Sequence, residues 1–286
     1  MNLKSKLKII TNVALIMTAI CALLLSLCFF FSFDETLGYF NVGNVLPSLF
    51  KAFYAIAVLY IVASSFIYIK CKKITAQGSP LPPYLKIVSL SVGALSIIYA
   101  ICGFILSMMS KTNTAYSSMV FLGALAFGGF LLFVSWCERF EYHSIKLLLL
   151  CFAVFLPFGM TMKNIFYLYR PTNSVENILS VCFAVSFLLY ILNEGKRMIS
   201  GVATRAYPAS ILLSLFSSAT LSASYVIGYI GGALSEADRF KDMLLCLALS
   251  VYFACVLLTF ISSVKESTTD KGAETETEME SENTND

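Results

Sequence analysis

The chain has 286 residues, 58% of them hydrophobic and 13% charged, with a mean hydropathy of +0.80. That leaves too little polar surface to cover a soluble domain in water. Charge is also partitioned: the last 22 residues, 265–286, hold eight of the 17 acids and two of the 20 bases, so the body carries +9 and the tail −6. A single histidine, His143, excludes paired-histidine haem ligation and ordinary histidine-rich zinc sites.

Uncharged runs long enough to cross about 30 Å of hydrocarbon, about 20 residues at 1.5 Å each, number eight. They are 9–33, 52–69, 87–110, 112–137, 147–162, 177–193, 206–235 and 243–264. In lipid every backbone donor and acceptor must be satisfied internally, which leaves helices or a closed barrel, and the alternation of a barrel strand is absent. The expected fold class is therefore all-α: a polytopic integral membrane protein with an eight-helix transmembrane domain over 1–264.

Lys4, Lys6 and Lys8 precede the first run, yet its 25 residues exceed a signal-peptide core and no small-x-small site ends it, so it reads as retained. Basic residues near span ends set the orientation. With the N-terminus inside, 14 bases fall on one side and six on the other. An even span count then puts both termini in the cytoplasm, in a multi-pass protein of the cell membrane. Connections are short, so no globular domain is inserted.

The fifth run is the oddest. Only 16 uncharged residues separate Lys146 from Lys163, and Pro157-Phe158-Gly159 falls two-thirds of the way along. A break there is expected. In transporters an interrupted helix exposes backbone to solute, and Thr161 and Asn164 would join such a site. The first run has no matching Pro or Gly, so a plain proline kink is the preferred reading.

In the seventh run Ser210, Ser214, Ser217, Ser224, Gly228 and Gly231 recur at three- and four-residue steps, with Leu221 filling the one large position, and Gly228 with Gly232 makes a GxxxG pair. One narrow helical face of small residues lets helix backbones approach, which is what drives association in lipid. The competing reading is a solute wall made by Ser217, Ser218, Ser222 and Tyr225 with Thr161 and Asn164. Serine can also bond its own preceding carbonyl, so a hydroxyl stripe does not demand a ligand. Ser89 with Gly93, and Ala124 with Gly128, repeat the packing theme more weakly.

Two polar clusters follow the fourth and sixth runs. Glu138 and Arg139 lie in one; Glu194 and Arg197, three apart and so able to pair on a helix, lie in the other. They are candidate docking residues for a cytosolic partner, or topology-setting charge in contact with anionic lipid. By these boundaries no ionisable residue lies inside a span, and HExxH, GxSxG and glycine-rich phosphate loops are absent. An enzyme is not expected, nor is a metal or cofactor. None of the nine cysteines falls in an outer connection, so structural disulfides are not indicated.

The tail from Lys265 alternates Glu with Thr or Ser and lacks aromatics, a composition expected to stay disordered. The expected partners are membrane lipids, a cytosolic or membrane protein, or a second copy of the chain, and not nucleic acid. Function is read first as a non-catalytic membrane subunit or scaffold assembled by small-residue helix packing. The alternative is a permease or facilitator for a neutral or amphipathic solute.

Overall fold

The structure is a computed structural model, and it describes residues 3–34, 39–40, 43–68, 73–74, 81–109, 115–137, 143–166, 175–204, 206–231 and 237–263. Expectations for the acidic tail, for Glu138 and Arg139, and for Gly232 fall outside them. The described helices are α1 (Leu3–Ser32), α2 (Val45–Tyr68), α3 (Pro83–Met109), α4 (Ala115–Trp136), α5 (His143–Ala153), α6 (Phe155–Phe166), α7 (Val175–Ser200), α8 (Ala206–Ile230) and α9 (Ala237–Ser263). Joining α5 and α6 as one span, eight are long and apolar enough to cross a membrane.

Several helices outrun their hydrophobic stretches. Helix α7 continues seven residues past Asn193, and α9 starts at Ala237, six residues before Met243. An uncharged run measures hydrocarbon thickness, whereas the backbone ladder continues through charged residues at no loss of hydrogen bonds. In contrast, α8 ends at Ile230 rather than at residue 235, because Gly231 and Gly232 are poor helix formers. The Gly231 amide closes the last turn on the Ile227 carbonyl at 2.9 Å.

The break in the fifth span falls at Val154, between α5 and α6, three residues before Pro157. Proline has no N–H for the carbonyl four residues back, and its ring crowds that same carbonyl, here Ala153. The strain is therefore released one turn upstream of the proline. Val154 N–H turns back to the Cys151 carbonyl at 3.3 Å, and the ladder resumes with Phe158 N–H on the Val154 carbonyl at 3.2 Å.

Among the described residues, four two-residue strands clip the connections. Strand β1 (Phe33–Asp34) pairs antiparallel with β2 (Tyr39–Phe40) between α1 and α2. Strand β3 (Lys73–Ile74) pairs antiparallel with β4 (Ala203–Thr204), which ties the α2–α3 connection to the α7–α8 connection. Tyr84 at the start of α3 bonds Thr259 near the end of α9 at 3.0 Å. At the other end Tyr99 donates to Asp242, near the start of α9, at 2.9 Å. One end of the bundle thus gathers the starts of α1, α3, α5 and α8 with the ends of α2, α4, α7 and α9. It holds Lys4, Lys6, Lys8, Lys86 and Lys196 and is called here the lysine-rich end.

Helix α8 is the axis. It packs against α1, α2, α7 and α9, and from Tyr207 to Ser218 every residue is buried. A helix apolar or small on all sides is what a bundle centre requires. Around it the outer helices meet at glycines. A Cβ on Gly93 would stand 3.0 Å from the Gly128 carbonyl oxygen, and one on Gly128 would stand 2.7 Å from the Gly93 oxygen, so α3 and α4 cross backbone to backbone. Gly123 of α4 faces the break itself, where a Cβ would fall 2.0 Å from the Leu156 nitrogen. One turn on, a Cβ on Gly159 would meet the Val120 nitrogen at 2.9 Å and the Tyr116 oxygen at 3.0 Å.

Replacing Gly123 by Leu should abolish folding or lower stability by about 3 kcal/mol, the upper range for overpacking, because backbone rather than a flexible side chain occupies the space. Gly129→Ala is the control, since its Cβ would meet only Leu149 at ordinary contact distances of 3.5 and 3.7 Å. Thermal midpoints in mild detergent check both, and a wild-type midpoint for Gly123→Leu would refute the crossing.

Candidate functional site

The two groups of residues marked out by the sequence take different places. Ser210, Ser214, Ser217, Ser218, Ser222, Ser224, Tyr225 and Gly228 are all buried in α8, on every side of it rather than along one seam. Their hydroxyls mostly turn onto their own helix. Ser210 donates to the Tyr207 carbonyl at 2.8 Å, Ser218 to Ser214 at 2.6 Å, Ser222 to Ala219 at 3.3 Å and Ser224 to Thr220 at 2.8 Å. Such bonds satisfy a hydroxyl in an apolar medium without any partner helix. Ser217 reaches outward, to the Tyr54 hydroxyl of α2 at 2.7 Å, and Tyr54 stacks on Phe216 with ring centres 4.9 Å apart. Gly231 lies beyond the helix, where a Cβ would strike the Phe30 ring of α1.

The residues of the supposed solute wall are dispersed. Tyr225 packs on Phe29 of α1 at 5.8 Å between ring centres, and Ser217 faces α2. Thr161 sits on α6, half-buried, and donates to the Pro157 carbonyl at 2.9 Å. Helix α6 packs on α4 and α7, and α7 in turn packs on α8. Asn164 belongs to α6, and its side chain lies outside the described residues.

The extension of α7 has a larger consequence. Glu194 and Arg197 fall inside the helix and inside a candidate span, Asn177–Ser200. Arg197 grips Glu194 with both arms of its fork: Nε donates to Oε2 at 2.9 Å and Nη2 to Oε1 at 2.5 Å. The Glu194 side chain is 7% exposed and that of Arg197 21%. The guanidinium lies over the Tyr207 ring of α8, 5.1 Å from its centre, and Glu194 also interacts with the Tyr207 phenol. Beneath this pair the hydroxyls of Tyr190 and Tyr252 meet at 2.8 Å. Phe253 stands edge-on to Tyr190 at 5.0 Å, and Phe260 stands edge-on to Tyr207 at 5.3 Å.

These groups assemble because α7, α8 and α9 come together at the lysine-rich end. Tyr190, Glu194 and Arg197 recur at steps of four and three, one face of α7. Tyr207 opens α8, and Tyr252, Phe253 and Phe260 line the last turns of α9. On α5 Lys146 is 2% exposed and shares its buried face with Leu150 and Ala153. Leu150 and Leu147 touch the space beside Gly195 of α7.

The sequence argument that no span contains an ionisable residue therefore does not hold for Lys146 and Glu194. Each adjoins an uncharged run, Lys146 just before 147–162 and Glu194 just after 177–193, and counting uncharged runs excludes such residues by construction. What could have found them is the spacing Tyr190–Glu194–Arg197, which continues the buried face of α7 set by Phe183, Phe187 and Tyr190. Chemically the cluster is a neutralised ion pair under an aromatic lid. Among the described residues no group of three His, Cys, Asp or Glu side chains is placed to hold a metal.

A buried pair of this kind need not add stability relative to apolar replacements, but losing one partner strands a charge, at about 3–5 kcal/mol. Glu194→Ala should accordingly lower the unfolding free energy by about 3 kcal/mol. The double variant Glu194→Leu with Arg197→Met should recover most of that loss. Detergent thermal midpoints of the two variants check this, and an equal or greater loss in the double variant would show that the charge itself is needed.

Compared with known proteins, the chain matches no family model, no curated protein and no solved structure.

Proposed function

We propose that this protein is a non-catalytic membrane subunit or scaffold, spanning a cell membrane eight times with both termini on the cytoplasmic side. The observation that carries the reading is the condition of α8. Its serines Ser210, Ser214, Ser217, Ser218, Ser222 and Ser224 are 0–2% exposed. Ser210, Ser218, Ser222 and Ser224 bond their own backbone, Ser217 bonds Tyr54 of α2, and Ser214 and Thr220 are buried with no hydrogen-bond partner among the described residues. Tyr225 packs on α1, and Thr161 bonds within α6. A permease wall needs its polar groups converged on one water-reachable surface. Small residues spent on holding helices together, and charge collected at one end, suit a protein that presents a fixed platform to others.

Orientation is supported by the bias of basic residues toward the lysine-rich end. That end also carries the exposed Lys8, Lys86 and Lys196, while Glu194 is engaged by Arg197. The platform offered to a partner is thus lysine-rich, with the ion pair acting beneath it as a brace between α7 and α8.

Purification of the intact chain in mild detergent, followed by mass spectrometry of whatever is retained, tests the function. A stoichiometric protein partner is the expected result. A lone chain carrying a bound metabolite, with uptake of that metabolite into liposomes, would establish the permease instead. For orientation, cysteines substituted at Tyr39 and Arg170 should react with an impermeant reagent added outside, and those at Lys72 and Ser200 should not. The inverse pattern would overturn the assignment of sides.

A further inference from the structure

The two ends of the bundle differ in charge far more than the count of bases alone suggests. Sorting charged residues by the helix ends they adjoin, the lysine-rich end receives twelve bases and three acids before residue 264, and the opposite end six bases and six acids. By chain order, all nine of the body's excess positive charges therefore adjoin helix termini at one end. Among the described side chains there, Glu194 is the acid, and it is buried against Arg197. Lys8, Lys86 and Lys196 are exposed and Lys4 and Lys6 half-buried.

Helix α9 finishes at this same end, as its Thr259 contact with Tyr84 fixes, and the −6 segment follows it directly. We propose that the acidic tail of this chain, residues 265–286, docks on the lysine-rich end of its own bundle and shields it from other anionic partners. The inference rests on the fold alone and holds whichever side of the membrane that end faces.

Reach and strength both fit. A chain of 22 residues with random-coil statistics would have a root-mean-square span of about 26 Å, from about 5–6 Å times the square root of its length. Eight helices spaced 8–10 Å apart make an end face about 30 Å across. The opposite end lies about 40 Å away along α9, with lipid between. Tethering supplies an effective concentration of order mM, so individually weak exposed ion pairs, each worth about 0–1 kcal/mol, suffice in number. Because they are exposed, salt should dissolve them. Thr and Ser between the glutamates, such as Thr275, Thr277 and Ser281, would strengthen the docking if phosphorylated.

The test uses the full chain in nanodiscs of phosphatidylcholine, which carries no net charge. Carbodiimide, which joins a carboxylate to an amine in direct contact, should link Glu274 to Glu282 with Lys4, Lys6, Lys8, Lys86 or Lys196 at about 25 mM salt and lose those products several-fold at about 0.5 M, where screening is within a few Å. Absence of these links, or equal linkage to Lys51 and Lys163 at the opposite end, would overturn the proposal. So would linkage mainly between differently isotope-labelled copies, which would make the tail's site a second molecule. Independently, amide NMR signals of residues 274–282 should be broad at low salt. They should sharpen several-fold at high salt and in the variant with Glu274, Glu276, Glu278, Glu280 and Glu282 all changed to Gln. Equally sharp signals in every condition would refute it.

Discussion

Helix backbones touching at Gly93, Gly123, Gly128 and Gly159 are the contacts on which the rest of the bundle depends. Between helices in lipid there is no hydrophobic gain to be had, because the tails are as apolar as leucine, and association must come from close packing. The crossing of α3 and α4 at Gly93 and Gly128 brings two carbonyl oxygens within contact distance of the opposing chain, and no side chain could stand between them. Gly123 performs the same service for the fifth span. It makes room for the backbone at the Val154 break, so that the irregular turn is covered by α4. Non-helical backbone at membrane depth is tolerated only in such cover or beside water.

The central helix follows from the same constraint. Surrounded by α1, α2, α7 and α9, α8 carries no charge, and its serines contribute small volume while most of their hydroxyls bond within the helix. The charge it lacks is concentrated at one end of α7, where Glu194 and Arg197 neutralise each other and Tyr207 closes over them. A buried pair of this kind contributes positional specificity more readily than net stability. Here the pair and the Tyr190–Tyr252 contact hold α7, α8 and α9 in one register, while the β3–β4 ribbon clasps the connections outside them.

The remaining polar material is sorted by end. An apolar core with an uncompensated basic face at one end attracts acidic matter of any origin: lipid headgroups, a partner surface, or the chain's own C-terminal segment. These compete for the same lysines, and a tethered competitor has the advantage of effective concentration. The proposed acidic cover would be opened by salt, by a stronger anion, or by changes in tail charge.

What the sequence determined was the number of helices long and apolar enough to cross a membrane, their approximate places, and the distribution of charge, since each depends only on local composition measured against the thickness of hydrocarbon. It also located the packing motifs Ser89–Gly93 and Ala124–Gly128 and the disruption near Pro157. Tertiary structure alone decided which small residues meet. The conspicuous Ser and Gly recurrence in α8 reflects burial on all sides, whereas the closest backbone approaches are made by the less conspicuous pairs in α3, α4 and α6. It also decided where charge is buried. A helix does not stop where hydrophobicity stops, so Glu194, Arg197 and Lys146 are carried into the packed end of the bundle by ladders that a hydropathy argument cannot see. Tyr207, under the Arg197 guanidinium, comes from α8, and the Tyr190–Tyr252 contact beside the pair joins residues 62 apart in the chain.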